Sequence, residues 1–242
     1  MNDDFFAMLK AYRPSTSTIN LIKETPILLL VGPTGAGKDS LKDKLLETGE
    51  FHHIVSHTTR PPRINHGILE QDGREYHFID LPQAEKMLDE HAFVEAKTYS
   101  GNVYGTSAAE IQIAHDEKKI ALTDIEVNGV AEYKSFDEGV MAAFLLPPDF
   151  KTWQERLQRR YGDVVDAADY RLRLETALEE LEQLLTTDYY EAFVNDDLQT
   201  TFDNVLLYAK TQDYDKSKEK RAEQVAQKLT DDIVTGKQGK LS

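Results

Sequence analysis

The 242-residue chain contains no cysteine, a single tryptophan and no long hydrophobic run. Without cysteine neither a disulfide framework nor a thiolate-held zinc or iron–sulfur centre can form, and the expected compartment is the reducing cytoplasm. The longest uninterrupted apolar stretch, residues 140 to 146, falls far short of the roughly 20 residues that a membrane-spanning helix needs, and the first 25 residues carry no signal-peptide core. Neither a membrane span nor secretion is expected. Positive charge is also scarce: 28 Lys and Arg stand against 43 Asp and Glu, a formal charge of −15, with the excess acid between residues 25 and 210. Such a chain is a poor sequence-independent binder of nucleic acid, whose affinity rests on many cationic contacts to phosphate. Any anionic ligand must therefore be held locally. What is present is apolar material, 40% of the residues, enough for a substantial core.

The two ends read as appendages. Phe5, Met8, Leu9 and Tyr12 suggest one short amphipathic helix beginning near Asn2, and the Pro14-to-Thr18 run reads as a linker, so 1–24 is taken as an N-terminal appendage. Ala222, Val225, Ala226, Leu229 and Ile233 keep helical spacing within a charged stretch, which reads as a mostly solvated helical tail over 211–242, frayed from Gly236. No partner for either end is identified. Between them, apolar runs at 26–31, 120–126, 140–146 and 189–194 read as strands. Helical patterns at 39–48, 107–118, 150–160, 167–186 and 198–210 alternate with them, the rhythm of an α/β fold with a parallel sheet flanked by helices. The stretch 54–100 breaks that rhythm and reads as a small mixed insertion.

The sharpest motif is Gly32-Pro33-Thr34-Gly35-Ala36-Gly37-Lys38-Asp39-Ser40, between a strand pattern and a helical one. That context is the one a phosphate loop requires. Its glycines let consecutive N–H groups turn toward phosphate oxygens at a helix N-terminus, and Lys38 neutralises the β and γ phosphates. The motif departs from its usual form at Asp39, where a hydroxyl normally ligates Mg²⁺; a carboxylate can hold the cation directly or through water, but it also brings negative charge toward the phosphates. Ser40 cannot substitute, because one step along a helix turns a side chain by about 100°.

Further motifs follow in order: Ser56-His-Thr-Thr-Arg60-Pro-Pro-Arg63, Glu75-Tyr76-His-Phe78, Phe93-Val-Glu95, Tyr104-Gly-Thr106-Ser107, Asp124-Ile-Glu126-Val-Asn-Gly129 and Asn195-Asp-Asp-Leu198. Together with the phosphate loop they resemble the guanylate kinase family, over about Pro26 to Lys210. The resemblance implies a domain over 25–210 in which a P-loop NTPase sheet carries a mixed α/β GMP-binding insertion at about 54–107 and a helical lid at about 150–175. It implies Mg²⁺-assisted transfer from ATP to GMP, and to dGMP.

By the same resemblance, Glu95 reads guanine, because its carboxylate can accept bonds from N1–H and the exocyclic amino group. Ser56, Thr106 and Glu126 join it around the base. Arg60, Arg63, Tyr76 and Tyr104 hold the acceptor phosphate, by guanidinium forks and phenol donors. Arg156, Arg160 and Arg173 match lid arginines that close over ATP, Asp124 orients Mg²⁺ and its water, and Asn195 lies near the adenine end. The loop from Arg63 to Tyr76 is about four residues longer than the family's usual spacing, which leaves the alignment of Ile64 to Arg74 open. Two alternatives stand beside this reading. The Gly-Lys-Asp-Ser loop also resembles ribose 1,5-bisphosphate phosphokinase, and a catalytically silent guanylate-kinase-like module that binds a protein would keep the same fold.

Overall fold

Ile27–Val31 is a run of five apolar residues with every side chain buried, the pattern of a strand covered on both faces. The structure around it is a computed structural model that describes residues 3–65, 68–99, 101–161 and 167–239. Its elements, in chain order, begin with helices α1 (Asp3–Ala11) and α2 (Thr16–Glu24), strand β1 (Ile27–Val31), helix α3 (Lys38–Glu47) and short strands β2 (Phe51–His53), β3 (His57–Thr58), β4 (Ile64–Asn65), β5 (Ile68–Leu69) and β6 (His77–Phe78). Helix α4 (Leu81–Asp89), strands β7 (Phe93–Tyr99) and β8 (Asn102–Ser107), α5 (Ala108–Asp116), β9 (Ile120–Asp124) and α6 (Val127–Phe136) follow. The chain continues through β10 (Met141–Leu146), α7 (Phe150–Tyr161), α8 (Ala167–Thr186), β11 (Glu191–Val194), α9 (Leu198–Thr211) and α10 (Glu219–Gly239). Among the described residues no helix is long and apolar enough to cross a membrane.

Contacts divide the chain into two units. The first comprises Met1–Ile27, Glu50–Thr123 and Glu132–Val140, and the second Leu28–Gly49, Asp124–Ala131 and Met141–Ser242. In the second unit β1 and β11 flank β10, all parallel, with Leu30 opposite Ala143 and Leu145 opposite Phe193. All six residues of β10 are buried, as the centre of a parallel sheet between helices demands. In the first unit β2 pairs parallel with β9, and β6, β3, β8 and β7 form a separate mixed sheet in that order.

Both terminal readings need correction. Residues 1–24 are not an appendage: Phe5 and Tyr12 are buried in one cluster with Ala84, Leu88, Phe93, Ala96 and Val103, and the Tyr12 hydroxyl donates to the Phe93 carbonyl at 2.5 Å. The supposed linker starts α2, because the Ser15 hydroxyl accepts the Thr18 N–H at 3.1 Å and so caps the helix. Asn2 lies outside the described residues. Nor is the tail solvated, since α10 packs on α7, α8, β10 and β11 and buries Ala222, Ala226, Leu229 and Ile233 as one stripe. It stays helical through Gly239, beyond the Gly236 at which fraying was expected; residues 240–242 lie outside the described ones.

Candidate active site

The second unit builds a phosphate loop directly off β1. Gly32 has φ +127° and a Cβ there would lie 2.2 Å from the Leu145 carbonyl oxygen, while Gly37, at φ +103°, caps α3 and a Cβ would meet Asn195 Nδ2 at 2.2 Å. No other residue type fits either place. The loop's carbonyl oxygens are engaged one by one. Lys38 Nζ donates to Gly32 O and to Pro33 O, Trp153 Nε1 to Thr34 O at 2.7 Å, and Asn195 Nδ2 to Ala36 O at 2.8 Å. Arg156 donates to Ala36 O at 3.3 Å and to Asn195 O at 2.9 Å. Trp153, Arg156, Leu157 and Arg160 fall on one face of α7 by their spacing, so a single helix braces the whole loop.

Around the loop lies a cavity of about 540 Å³, lined among others by Lys38, Asp39, Asp124, Arg156, Arg160 and Asn195. The size suits a nucleotide-scale ligand. The end of β9 is held by the Ile125 N–H, which donates to Leu30 O at 3.1 Å, and this places Asp124 beside the loop. Lys42 Nζ sits 2.5 Å from its carboxylate. Burial alone would raise the Asp124 pKa, but Lys42, with a smaller contribution from Lys38, outweighs it and holds the group below the usual carboxylate range. Asp39, in the first turn of α3, pairs with Arg160 at 2.9 Å. Arg173 pairs with Asp169 one turn back on α8, at 2.9 Å. Thus Arg156 and Arg160 come together with Lys38, and Arg156 also holds backbone carbonyls of the loop and of Asn195. The stretch 162–166 of the expected lid lies outside the described residues.

Sequence reasoning missed two members of this unit. Trp153 donates its indole N–H to the loop itself. Glu180 of α8 is 8% exposed, its Oε2 has no hydrogen-bond partner among the described residues, and burial pushes it up to about 7 against the pull of Lys38, with Glu126 and Glu179 adding to the rise. Its only signal in the sequence is a place three residues after Ala177, on the buried face of α8.

In the first unit the expected phosphate-binding residues cluster around a carboxylate that was not expected. Arg60 is 5% exposed and donates two bonds to Glu70, at 2.7 and 3.1 Å, and the Arg63 N–H donates to the same carboxylate at 2.7 Å. The Glu70 bonds raise the Arg60 pKa above its usual value, and Arg60 in turn holds Glu70 low. The guanidinium also lies 5.1 Å from the Tyr76 ring centre and 5.8 Å from that of Phe78. Tyr76 in turn meets Tyr104 edge-on at 5.9 Å. The lengthened loop contains β4 and β5, paired antiparallel and closed by a Glu70 N–H to Arg63 O bond of 2.9 Å. Arg63 itself is exposed.

Glu95 stands on β7 opposite Thr106 on β8, next to a bulge in the ladder. It is 8% exposed, and burial pushes its pKa up to about 7, opposed by Lys97 and by hydrogen bonds from Thr106, while Glu132 adds to the rise. Lys97 itself pairs with Glu132 at 3.0 Å. Ser56 is half-buried and its carbonyl accepts the His77 N–H at 2.9 Å. Glu126 belongs to the second unit, where it is exposed just before α6.

Comparison with known proteins decides the family. The model of the guanylate kinase family matches residues 23–230. The chain belongs to the guanylate kinase family. The match extends past Lys210, where the resemblance read from motifs stopped, and takes in about half of α10. The guanylate kinase of Schizosaccharomyces pombe is 35% identical over 189 residues, which span 77% of this chain and 90% of that protein. A guanylate kinase from Thermus thermophilus is 34% identical over 173 residues, or 72% of this chain and 75% of its own. Guanylate kinase 1 of rice is 34% identical over 181 residues, and the aligned part spans 46% of that longer protein. In fold, the crystal structure of guanylate kinase from Anaplasma phagocytophilum superposes with a TM-score of 0.58 at 24% identity, covering 78% of this chain and 86% of that one.

Proposed function

We propose that this guanylate kinase family member transfers the γ-phosphoryl group of ATP to GMP, and to dGMP, yielding ADP and GDP or dGDP. The observation that carries the reading is the pairing of two chemistries in one chain: a phosphate loop with Lys38, Arg156 and Arg160 around its cavity, and a buried carboxylate, Glu95, with Thr106 opposite it. A sugar-bisphosphate acceptor would have no use for Glu95.

In the transfer an oxygen of the GMP phosphate bonds to the γ-phosphorus as the bond to the β–γ bridging oxygen breaks, and ADP leaves with that oxygen's electrons. Charge builds on the transferred group, and positioned cations stabilise it. Lys38 exchanges its contacts with Gly32 and Pro33 for the β and γ phosphates, and Arg160 and Arg173 add charge from α7 and α8. Arg156 holds the loop and the Asn195 turn near the adenine end in register. On the acceptor side Arg60, Arg63, Tyr76 and Tyr104 take the GMP phosphate, with Ser56, Glu95 and Thr106 around the base. Glu126 is a further carboxylate assigned to the base.

The donor set also suits Mg²⁺, which favours oxygen ligands and commonly uses one or two carboxylates together with substrate phosphates. Asp124 is kept ionised by Lys42 and Lys38 beside the cavity and would hold the ion through water, with Asp39 the other carboxylate within the same lining. When bound, the ion would neutralise charge on the β and γ phosphates.

The test is coupled ADP release with Mg·ATP against GMP, dGMP, AMP, UMP and ribose 1,5-bisphosphate, with Lys38→Ala as the blank. Turnover confined to GMP and dGMP is expected. Turnover with the sugar bisphosphate alone, or none with any acceptor, would overturn the reading.

A further inference from the structure

Asp39 occupies the position where a phosphate loop ordinarily has a hydroxyl, and the structure gives its carboxylate a definite partner. Arg160 Nη1 donates to Asp39 Oδ2 at 2.9 Å. Both residues line the cavity. Asp39 lies in the first turn of α3, where the N-terminal end of the helix favours negative charge, the same attraction that draws nucleotide phosphates to such loops. Arg160 is brought there by α7, whose Trp153 and Arg156 are already tied to Thr34 and Ala36 of the loop. One helix face thus delivers a guanidinium to an internal anion.

We propose that Asp39 latches Arg160 in the resting protein, standing in for a phosphate until a nucleotide displaces it. The inference rests on the cavity being a nucleotide site. The pair is 44% exposed on the arginine side and 56% on the aspartate side, so it is screened by water and weak. A polyphosphate carrying several charges outcompetes one carboxylate for Arg160. The latch therefore sets how tightly nucleotide binds by acting on the arginine.

The test is a double-mutant cycle on ADP binding, read from the fluorescence of Trp153, the chain's only tryptophan, with EDTA present so that no cation takes part. Asp39→Asn is expected to tighten ADP binding in the otherwise unchanged protein by about two- to fivefold more than it does in an Arg160→Gln background, the factor an exposed ion pair represents. In steady state Asp39→Asn should lower the KM for ATP and leave the KM for GMP where it was, a split that general loosening of the fold would not produce. Equal tightening in both backgrounds would show plain charge repulsion and overturn the latch. So would weaker ADP binding by Asp39→Asn, which would make the carboxylate a support for bound nucleotide. If the unsubstituted protein binds no ADP at all while remaining folded by circular dichroism, the nucleotide reading of the cavity fails and the latch falls with it.

Discussion

In the phosphate-loop unit the cations rest on weak or exchangeable partners: Lys38 on the carbonyls of Gly32 and Pro33, and Arg160 on an exposed aspartate. In the other unit Arg60 is locked against Glu70, with both side chains buried, and faces the rings of Tyr76 and Phe78. On the proposed assignment a donor nucleotide would meet groups that can turn toward it, whereas an acceptor phosphate would meet a guanidinium already oriented. The difference follows from the chemistry asked of each side. Donor-side cations reach their working places once nucleotide displaces their resting partners, while an acceptor-side frame fixed before binding favours orientation.

The comparison breaks most visibly at Lys38. Lys38→Ala is expected to lower kcat about a thousandfold while GMP binding, measured by calorimetry, is retained. Glu70→Gln should act in the opposite sense. Half of a buried ion pair would be lost, destabilising the protein by about 3 kcal/mol in chemical denaturation, and the KM for GMP should rise while ADP binding stays unchanged. Smaller but more selective is Glu95→Gln, which replaces a charged acceptor by an amide and should raise the KM for GMP about ten- to a hundredfold with the KM for ATP unaffected.

The pH profile sharpens the contrast further. Glu95 and Glu180 are both pushed up to about 7, so both take up protons as the pH falls through that value. If Glu95 reads guanine as proposed, its protonated form can no longer accept two bonds from the base, and GMP binding is expected to weaken below pH 7. Protonated Glu180 ceases to draw on Lys38, so nucleotide phosphates bind more tightly over the same range. The two KM values should therefore move in opposite directions between pH 7.5 and 6, each by about two- to tenfold. Glu95→Gln and Glu180→Gln should each flatten one profile and leave the other. The smallest effect is expected from Trp153→Phe, which leaves Thr34 O without its donor and should cost about 1 kcal/mol of stability by thermal denaturation.

The contrast between the units also explains what could be read from the sequence. The phosphate loop was legible because all of it, Gly32 to Ser40, lies within one strand–turn–helix, so spacing alone specifies its geometry. The parallel strands and the helices at 150–160, 167–186 and 198–210 were legible for the same local reason. Helix α4 was missed although Asp80 and Gln83 form a reciprocal capping box, a signal four residues long that an irregular neighbourhood obscured. The termini were misread because their partners are remote: Tyr12 is completed by Phe93, 81 residues away, and nothing near α10 announces the surface that covers Ala226 and Leu229. Glu70 and Glu180 were invisible for a further reason. A glutamate's burial is decided by what folds over it, and Glu180 is one of several acids on an otherwise ordinary helix.

The central claim is that guanine is read by the buried carboxylate of Glu95, and the most direct measurement is the ratio of kcat/KM for GMP to that for IMP, whose base lacks the exocyclic amino group. In the unchanged protein GMP should be preferred by about tenfold or more, the value of one hydrogen bond to a charged group, and Glu95→Gln should reduce that preference to near unity. An equal preference in both proteins, or none in the unchanged one, would contradict the assignment.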